Sequence, residues 1–540
     1  MAFTFGTLTT TTVEVRTGTG TLDELYTDIG NAAIMSKSGS VYSFPGGNVY
    51  FELENGVTLN QEANTTLQWT NRTTHDTSFT VQIGAVWNVA DGCTIDVDTS
   101  GTITRYSYGY VQGEMNITGT SGNRSTIAHL YAVRFYNTTG YKSTWIYVDC
   151  VEPTYSTYGI INLQSTYGAR PEHSFSYINC IDTRDEANKR GTSLYLMSGD
   201  WSLCTFDNFN VDSVDVMIVT SEGCQAKITN STFTKCNVGR QLDAGAHRNY
   251  YDNSKYTGAP YDLAYNQSKI VFENCTFGDN NVESNTNIYG LYHFGAGVFQ
   301  MKNCTFQGDS GTISSTADAG GGLVEATTSA PHGLRTNMYV LISGTTDYNG
   351  WEEITVTGAS TFTFADTWVD DQSGVWNRTL TFCAMAHYNS RVLNVGTHTF
   401  NNVSSSGKYY SASGGGQYDC KTLTMTVQDA GGSPVEGALV KIYETTGRHC
   451  DLFFTNASGE VKDVFGDDPV FPYRQITNNS GTTFNNWSTY DITVSKDGYT
   501  LDTRTGVDMT SDQTIVASLT TNPAGDTTIH GSTFYGSTIY

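Results

Sequence analysis

The sequence predicts an all-β protein: a right-handed parallel β-helix that carries an inserted small β-module and is followed by a C-terminal β-sandwich. Three observations lead there. A short phrase recurs through the middle of the chain, Gly is abundant at 55 while Pro is scarce at 9, and only 15% of residues are charged. That composition suits many short strands joined by turns, and it argues against helical bundles and disorder.

The phrase is Phe272-Glu273-Asn274-Cys275-Thr276-Phe277. It returns as Met301-Lys302-Asn303-Cys304-Thr305-Phe306, and more loosely as Ile228 to Phe233 and Trp201 to Phe206. Before these come Tyr177-Ile178-Asn179-Cys180-Ile181 and Tyr147-Val148-Asp149-Cys150-Val151. Asn and Asp tolerate the left-handed conformation and can bend a strand. After the bend, residues at i and i+2 share a face, so Cys and Phe point inward and Thr outward. A chain that bends between short strands and returns the same inward residues builds a coil of stacked rungs.

Residues 1–45 read as a cap or attachment segment. Leu22, Leu25 and Ile29 fall on one helical face, with Thr21 as N-cap and Glu24 completing a capping box. Residues 46–315 read as the coil, beginning with irregular alternating strands such as Val49-Tyr50-Phe51-Glu52-Leu53 and Phe79-Thr80-Val81-Gln82-Ile83. Its small inward positions are expected at Cys150, Cys180, Cys204, Ser231, Cys275 and Cys304, with Val403 in the same role later. The long interval between Ser231 and Cys275 fits two short rungs or one rung with an excursion, and the polar, Tyr-rich residues from Arg240 to Lys269 favour the excursion, a loop on the flank of the coil.

The repeat stops near 316 and returns at Thr399-Phe400-Asn401-Asn402-Val403, so residues 316–380 read as an inserted small β-module and 381–417 as the last rung or rungs. Residues 418–520 alternate strands with Gly turns, the pattern of a β-sandwich. Residues 521–540 form a C-terminal strand tail in which Gly-Ser-Thr is followed first by Phe-Tyr and then by Ile-Tyr. Unpaired terminal strands dock on neighbours, so an intersubunit tether is one expectation and a frayed tail the other.

Two stretches resemble known families. Pro331-His332-Gly333-Leu334, Ile342-Ser343-Gly344, Tyr348-Asn349-Gly350 and Thr361-Phe362-Thr363 resemble a small β-module of phage tail and fibre proteins. Trp351-Glu352-Glu353 departs from its usual pattern, which carries fewer charges there. Pro434-Val435-Glu436-Gly437-Ala438-Leu439-Val440 and Lys496-Asp497-Gly498-Tyr499 resemble the carboxypeptidase-regulatory-like, transthyretin-like domains, which serve as stalks or contact modules. The resemblances imply a structural virion protein of a tailed bacteriophage, a tailspike or fibre-like adhesin that contacts the host surface. Its implied location is the virion, after assembly in the host bacterial cytoplasm. A capsid decoration or vertex protein and a virion-associated glycan depolymerase are the alternatives, and a bacterial surface adhesin is a third. The implied partners are other virion proteins, a host surface glycan or protein, and further copies of the chain, a trimer by family analogy.

Composition narrows the classes further. A formal charge of −24 leaves no basic patch for nucleic acid or anionic lipid. No apolar run reaches membrane-spanning length, so no membrane insertion is expected. The first residues lack the basic and apolar regions of a signal peptide, which predicts a chain neither exported by an ordinary signal nor anchored. Eleven Cys without a CxxC pair argue for buried thiols made in a reducing compartment, and no metal or cofactor is expected. Asn-x-Ser/Thr triplets, as at Asn71, Asn116 and Asn303, arise by chance in so Asn- and Thr-rich a chain.

An enzyme is not the leading expectation. Glycosidases need two carboxylates at a set separation, and the nearest pair is Asp212 and Asp215. Three residues apart on a strand they lie on opposite faces and converge only across a bend. The candidate binding residues are Asp243, His247, Arg248, Tyr250 and Tyr251 in the excursion, whose Tyr-rich polar text suits a sugar or a protein partner.

Overall fold

The computed structural model describes residues 2–46, 48–70, 76–97, 107–130, 132–136, 141–151, 161–164, 173–181, 192–196, 203–207, 210–212, 216–220, 225–234, 242–244, 269–279, 289–295, 298–387, 391–411, 416–446, 450–463, 465–478, 480–487 and 489–522. Among them the chain is all-β, with one helix, Leu22–Ile29, parallel sheets and a closed six-stranded barrel. The tail 523–540 and the excursion residues 245–268 lie outside the described residues.

The parallel strands form three ladders, which the chain visits in the same order again and again. The first runs through Val13, Phe51, Phe79, Gly109, Val133, Ile161, Leu194, Ile218 and Leu242. The second runs through Gln61, Val89, Ile117, Trp145, Phe175, Phe206, Ile228, Phe272 and Met301. The third runs through Tyr42, Leu67, Ile95, Ile127, Cys150, Cys180, Val211, Phe233, Phe277, Phe306 and Phe400. Where side chains are described, alternation along the strands buries one face, and most of the buried residues merge into one core from Phe3 to Val392. On the outer face of the second ladder Asn60, Asn88 and Asn116, 28 residues apart, join side chain to side chain at 2.9 and 3.3 Å.

Between the second and third ladders the chain turns through a left-handed residue. Asn230, Asn274 and Asn303 take φ of 51°, 55° and 52° there, as the repeat predicts. In the two earlier copies the bend is instead at Tyr147 and Tyr177, with φ of 54° and 55°. Asp149 and Asn179 lie in the strands beyond it, joined at 2.7 Å. The expected column of small inward residues is therefore not one column. Cys150 and Cys180 stand in line with Phe233 and Phe277 on the third ladder, and Cys204 pairs with Ala226 on the second. Ser231, Cys275 and Cys304 enter the third ladder, and the next place after Cys304 belongs to His398, whose Nδ1 accepts from the Cys304 amide at 3.1 Å, not to Val403. The long Ser231-to-Cys275 interval is one turn, because Ile228 pairs with Phe272 and Phe233 with Phe277.

Parallel ladders expose unpaired edges, and antiparallel strands cover several of them. Phe3–Leu8 lies antiparallel on Thr12–Thr21, which starts the first two ladders, and Ser36–Ser38 lies on Val41–Phe44, which starts the third. The helix packs at the same end through Leu22, Leu25 and Ile29, and its capping box between Thr21 and Glu24 is formed. At the far end Val470–Ile476 covers the second ladder's last strand, Gly416–Asp429.

The barrel strands are Asp309–Gly320, Leu323–Thr328, Tyr339–Ser343, Gly350–Gly358, Thr361–Ala365 and Gly374–Arg378. They interrupt the chain but not the ladder: Thr305 pairs with Thr399, and the ring of Phe306 stacks on Phe277 at 5.6 Å and on Phe400 at 5.7 Å. Arg378, fully buried where the chain leaves the barrel, donates Nε to Asp279 at 2.9 Å and Nη1 to the Tyr339 carbonyl, tying barrel to ladder. His332 is buried and accepts the Leu334 amide on Nδ1 at 2.9 Å.

Gly416–Asp429 is shared by two bodies. Its first half ends the second ladder, and its second half pairs with Gln513–Leu519 and Glu460–Val461. A four-stranded sheet of Cys450–Phe454, Leu439–Glu444, Tyr490–Ser495 and Asp502–Val507 shares a core with it through Met425, Val427, Val440, Ile492 and Ala517. This C-terminal unit also leans back on the ladder: Lys227 reaches Asp467 at 2.6 Å and Glu273 at 3.3 Å, and Lys302 reaches Glu273 at 2.7 Å. Those cations hold the Glu273 carboxyl below its usual value, against the opposing effect of its partial burial.

Candidate functional site

The interior offers little reactive chemistry among the described residues. Burial pushes the thiols of Cys150, Cys275 and Cys383 well above the ordinary range, and Cys304 up to about 12, so none is a thiolate at neutral pH. His173 and His398 are lowered by burial to about 4 and are neutral. No group of His, Cys, Asp and Glu among the described residues is placed to hold a metal ion.

Of the residues expected to act, Asp212 and Asp243 are described, and they stand on different ladders. Asp212 ends the strand Asn210–Asp212, paired with Ile181 and Thr234 on the third ladder. Asp215 lies outside the described residues. Asp243 lies in the strand Leu242–Ala244, paired with Val219 and Phe294 on the first ladder. His247, Arg248, Tyr250 and Tyr251 lie outside the described residues.

The outer face of the first ladder carries a described cluster. In Ser107–Val111, Gly109 and Val111 are inward, which leaves Tyr108 and Tyr110 half-buried on the outside. Arg134 on the next rung pairs with Tyr110 in register. Its guanidinium carbon lies 4.0 Å from the Tyr108 ring centre and 5.4 Å from that of Tyr110, and Nη1 donates to the Tyr110 hydroxyl at 3.0 Å. Such cation–π contacts contribute on the order of 0.5–2 kcal/mol and hold a flexible Arg in one pose. The same register position continues through Asn162, Tyr195, Val219 and Asp243. Rungs repeat at about 4.8 Å, so this band presents Tyr, Arg, Asn and Asp positions as a row along the ladder. Tyr108, Tyr110 and Arg134 together can stack on and hydrogen-bond a polar ring.

A second cluster sits on the corner. The rings of Tyr147 and Tyr177 stack at 4.4 Å and 15°, and Arg124 lies 5.6 Å from the Tyr147 ring centre. Arg124 also binds Asp149 at 2.5 Å and the Val148 and Tyr177 carbonyls, so this cluster is bonded to itself and reads as a clasp. Sequence reasoning missed both clusters. The alternation Tyr108-Gly109-Tyr110 was a legible signal for an outward aromatic pair, but nothing local ties it to Arg134, 24 residues on. Set beside known proteins, the chain matches no family model and no curated sequence.

Proposed function

We propose that this chain is a structural virion protein of a tailed bacteriophage, a tailspike or fibre-like adhesin whose three ladders wind as a right-handed parallel β-helix. The barrel would then be the phage-type inserted module, and the C-terminal unit a carboxypeptidase-regulatory-like sandwich. One observation carries this reading: a continuous scaffold on which separate bodies are mounted without breaking the register, as where Thr305 pairs with Thr399 across the whole barrel. Such a rod presents surfaces at fixed spacing, which is what adhesion asks of a protein. The surface offered to a host glycan is the band through Tyr108, Tyr110 and Arg134.

Two measurements test it. Gold-labelled antibody against the chain, applied to particles of the phage that encodes it, is expected to mark the tail; label confined to the head would replace the adhesin with a decoration protein. Binding of the purified chain to host surface polysaccharide is expected to weaken about tenfold in Arg134→Ala. Unchanged binding would move the glycan surface elsewhere, and release of new reducing or unsaturated ends would make the protein a depolymerase.

A further inference from the structure

We propose that the free end of the barrel is a docking surface for a protein partner that brings Lys or Arg side chains around an apolar contact. The barrel has two ends. The chain enters at Asp309 and leaves at Arg378, beside Asp279 of the ladder, and strand directions put the loops 329–338 and 359–360 at that attached end. The opposite end carries the turn 321–322 and the loops 344–349 and 366–373.

Apolar side chains are concentrated toward that free end. Leu323 is 39% exposed, Trp351 37%, Trp368 40%, Val369 54% and Val375 41%, and these are half of the ten large hydrophobic residues exposed among the described residues. Exposed Trp is costly, and the loop 366–373, which carries Trp368 and Val369 side by side, marks an interaction surface. The loop that holds two of them is pinned. The Tyr348 hydroxyl accepts the Val369 amide at 2.8 Å and donates to the Asp370 carbonyl at 3.0 Å. Thr316 accepts the Gln372 amide at 2.9 Å and its own amide donates to Asp371 at 2.9 Å, while Gln372 Oε1 accepts the Thr346 amide at 2.7 Å. Trp368 and Val369 are therefore held out by a fixed frame, and a partner meets a surface already ordered.

Charge selects the occupant. Asp318, Asp347, Asp370 and Asp371 are exposed at the free end, and Glu352 beside Asp366 has its carboxyl raised by burial and by that neighbour. The only basic side chains in 309–378 other than His332 are Arg335 and Arg378, both at the attached end. Exposed Trp368 and Val369 run directly into exposed Asp370 and Asp371, an apolar contact flanked by carboxylates that is complementary to a basic protein surface. A second copy would bring the same acidic rim, and a polyanion would be repelled. The surface stands whether or not the ladders serve as an adhesin.

The full chain and its W368A/V369S variant, which keeps every charge, are titrated with a short amidated peptide of Lys and Leu while tryptophan fluorescence is followed. The peptide is expected to bind the wild type, more weakly as salt rises, and about tenfold more weakly to the variant. Equal binding to both would overturn the proposal by assigning the attraction to overall charge, and absence of binding would overturn it outright. Binding of maltoheptaose that the variant loses would make the surface a glycan site instead. A fall in the solution mass of the variant would make it a contact between copies.

Discussion

The ladders and the barrel bury the same kinds of side chain by different means, and the difference decides what each can tolerate. A ladder rung has no closure of its own: Phe306 is buried because Phe277 lies on one side and Phe400 on the other. The barrel closes on itself, with Ile313, Val340, Phe362 and Trp376 in a core separate from that of the ladders. A rung must therefore keep its register with its neighbours, whereas the barrel need only keep its two ends together. That freedom lets the barrel expose Trp351, Trp368 and Val369 while the ladders hold Trp69, Trp87 and Trp145 out of water entirely.

Cutting each core separately gives the largest effect. Phe306→Ala removes a ring held between two others and should destabilise the ladders by about 3–5 kcal/mol, while Phe362→Ala should cost the barrel a similar amount and leave the ladders alone. Scanning calorimetry of the two variants would follow this as a shift of one transition at a time; a common shift in both would merge the two regions into one cooperative unit. Asp279→Ala strands the buried Arg378 guanidinium at the joint, at about 3–5 kcal/mol, and should loosen the attachment as increased hydrogen exchange at 374–378. Unchanged exchange there would mean that the joint rests on other contacts.

Acid should separate the regions by a smaller amount. His173 titrates near 4 in the folded ladders against about 6.5 when unfolded, so between those values the unfolded chain binds more protons. The stability that its neutral form provides is complete above about pH 6.5 and is lost as pH falls toward 4, by about 3 kcal/mol. His173→Phe should flatten that part of the stability profile; an identical profile would assign the acid response to other groups. The smallest effect is expected at the corner. Tyr177→Asn loses a ring stack but gains a residue suited to φ of 55°, so its melting temperature should correspond to within about 1 kcal/mol of the wild type. A much larger loss would make the Tyr147–Tyr177 clasp a main support of the ladders.

The repeat was legible because Asn230, Asn274 and Asn303 sit at one recurring bend and Phe233, Phe277 and Phe306 follow it at a constant offset. It misled at Cys150 and Cys180. There an Asp-Cys or Asn-Cys pair lies within the strand, and the bend two residues earlier is made by Tyr, a side chain that gives no local sign of a left-handed backbone. Val403 was assigned for the same reason: Asn402 is left-handed too, with φ of 48°, but the strand that pairs with Thr305-Phe306 begins one residue after His398. The Tyr110–Arg134 contact depends on rung register, which a single sequence does not contain. At the barrel, Trp351-Glu352-Glu353 stood out as a departure from the expected pattern, and it lies beside the free end.

Excision of the barrel tests most directly whether the ladders are a self-sufficient scaffold. Gly308 lies against the backbone of Leu380, so residues 309–378 can be replaced by a short Gly-Ser link, with Asp279→Asn added so that no buried charge is left unpaired. The expected product is a soluble chain whose calorimetric trace loses the barrel transition and keeps that of the ladders at its original temperature. Loss of the ladder transition, with the β-sheet circular dichroism lost as well, would contradict it.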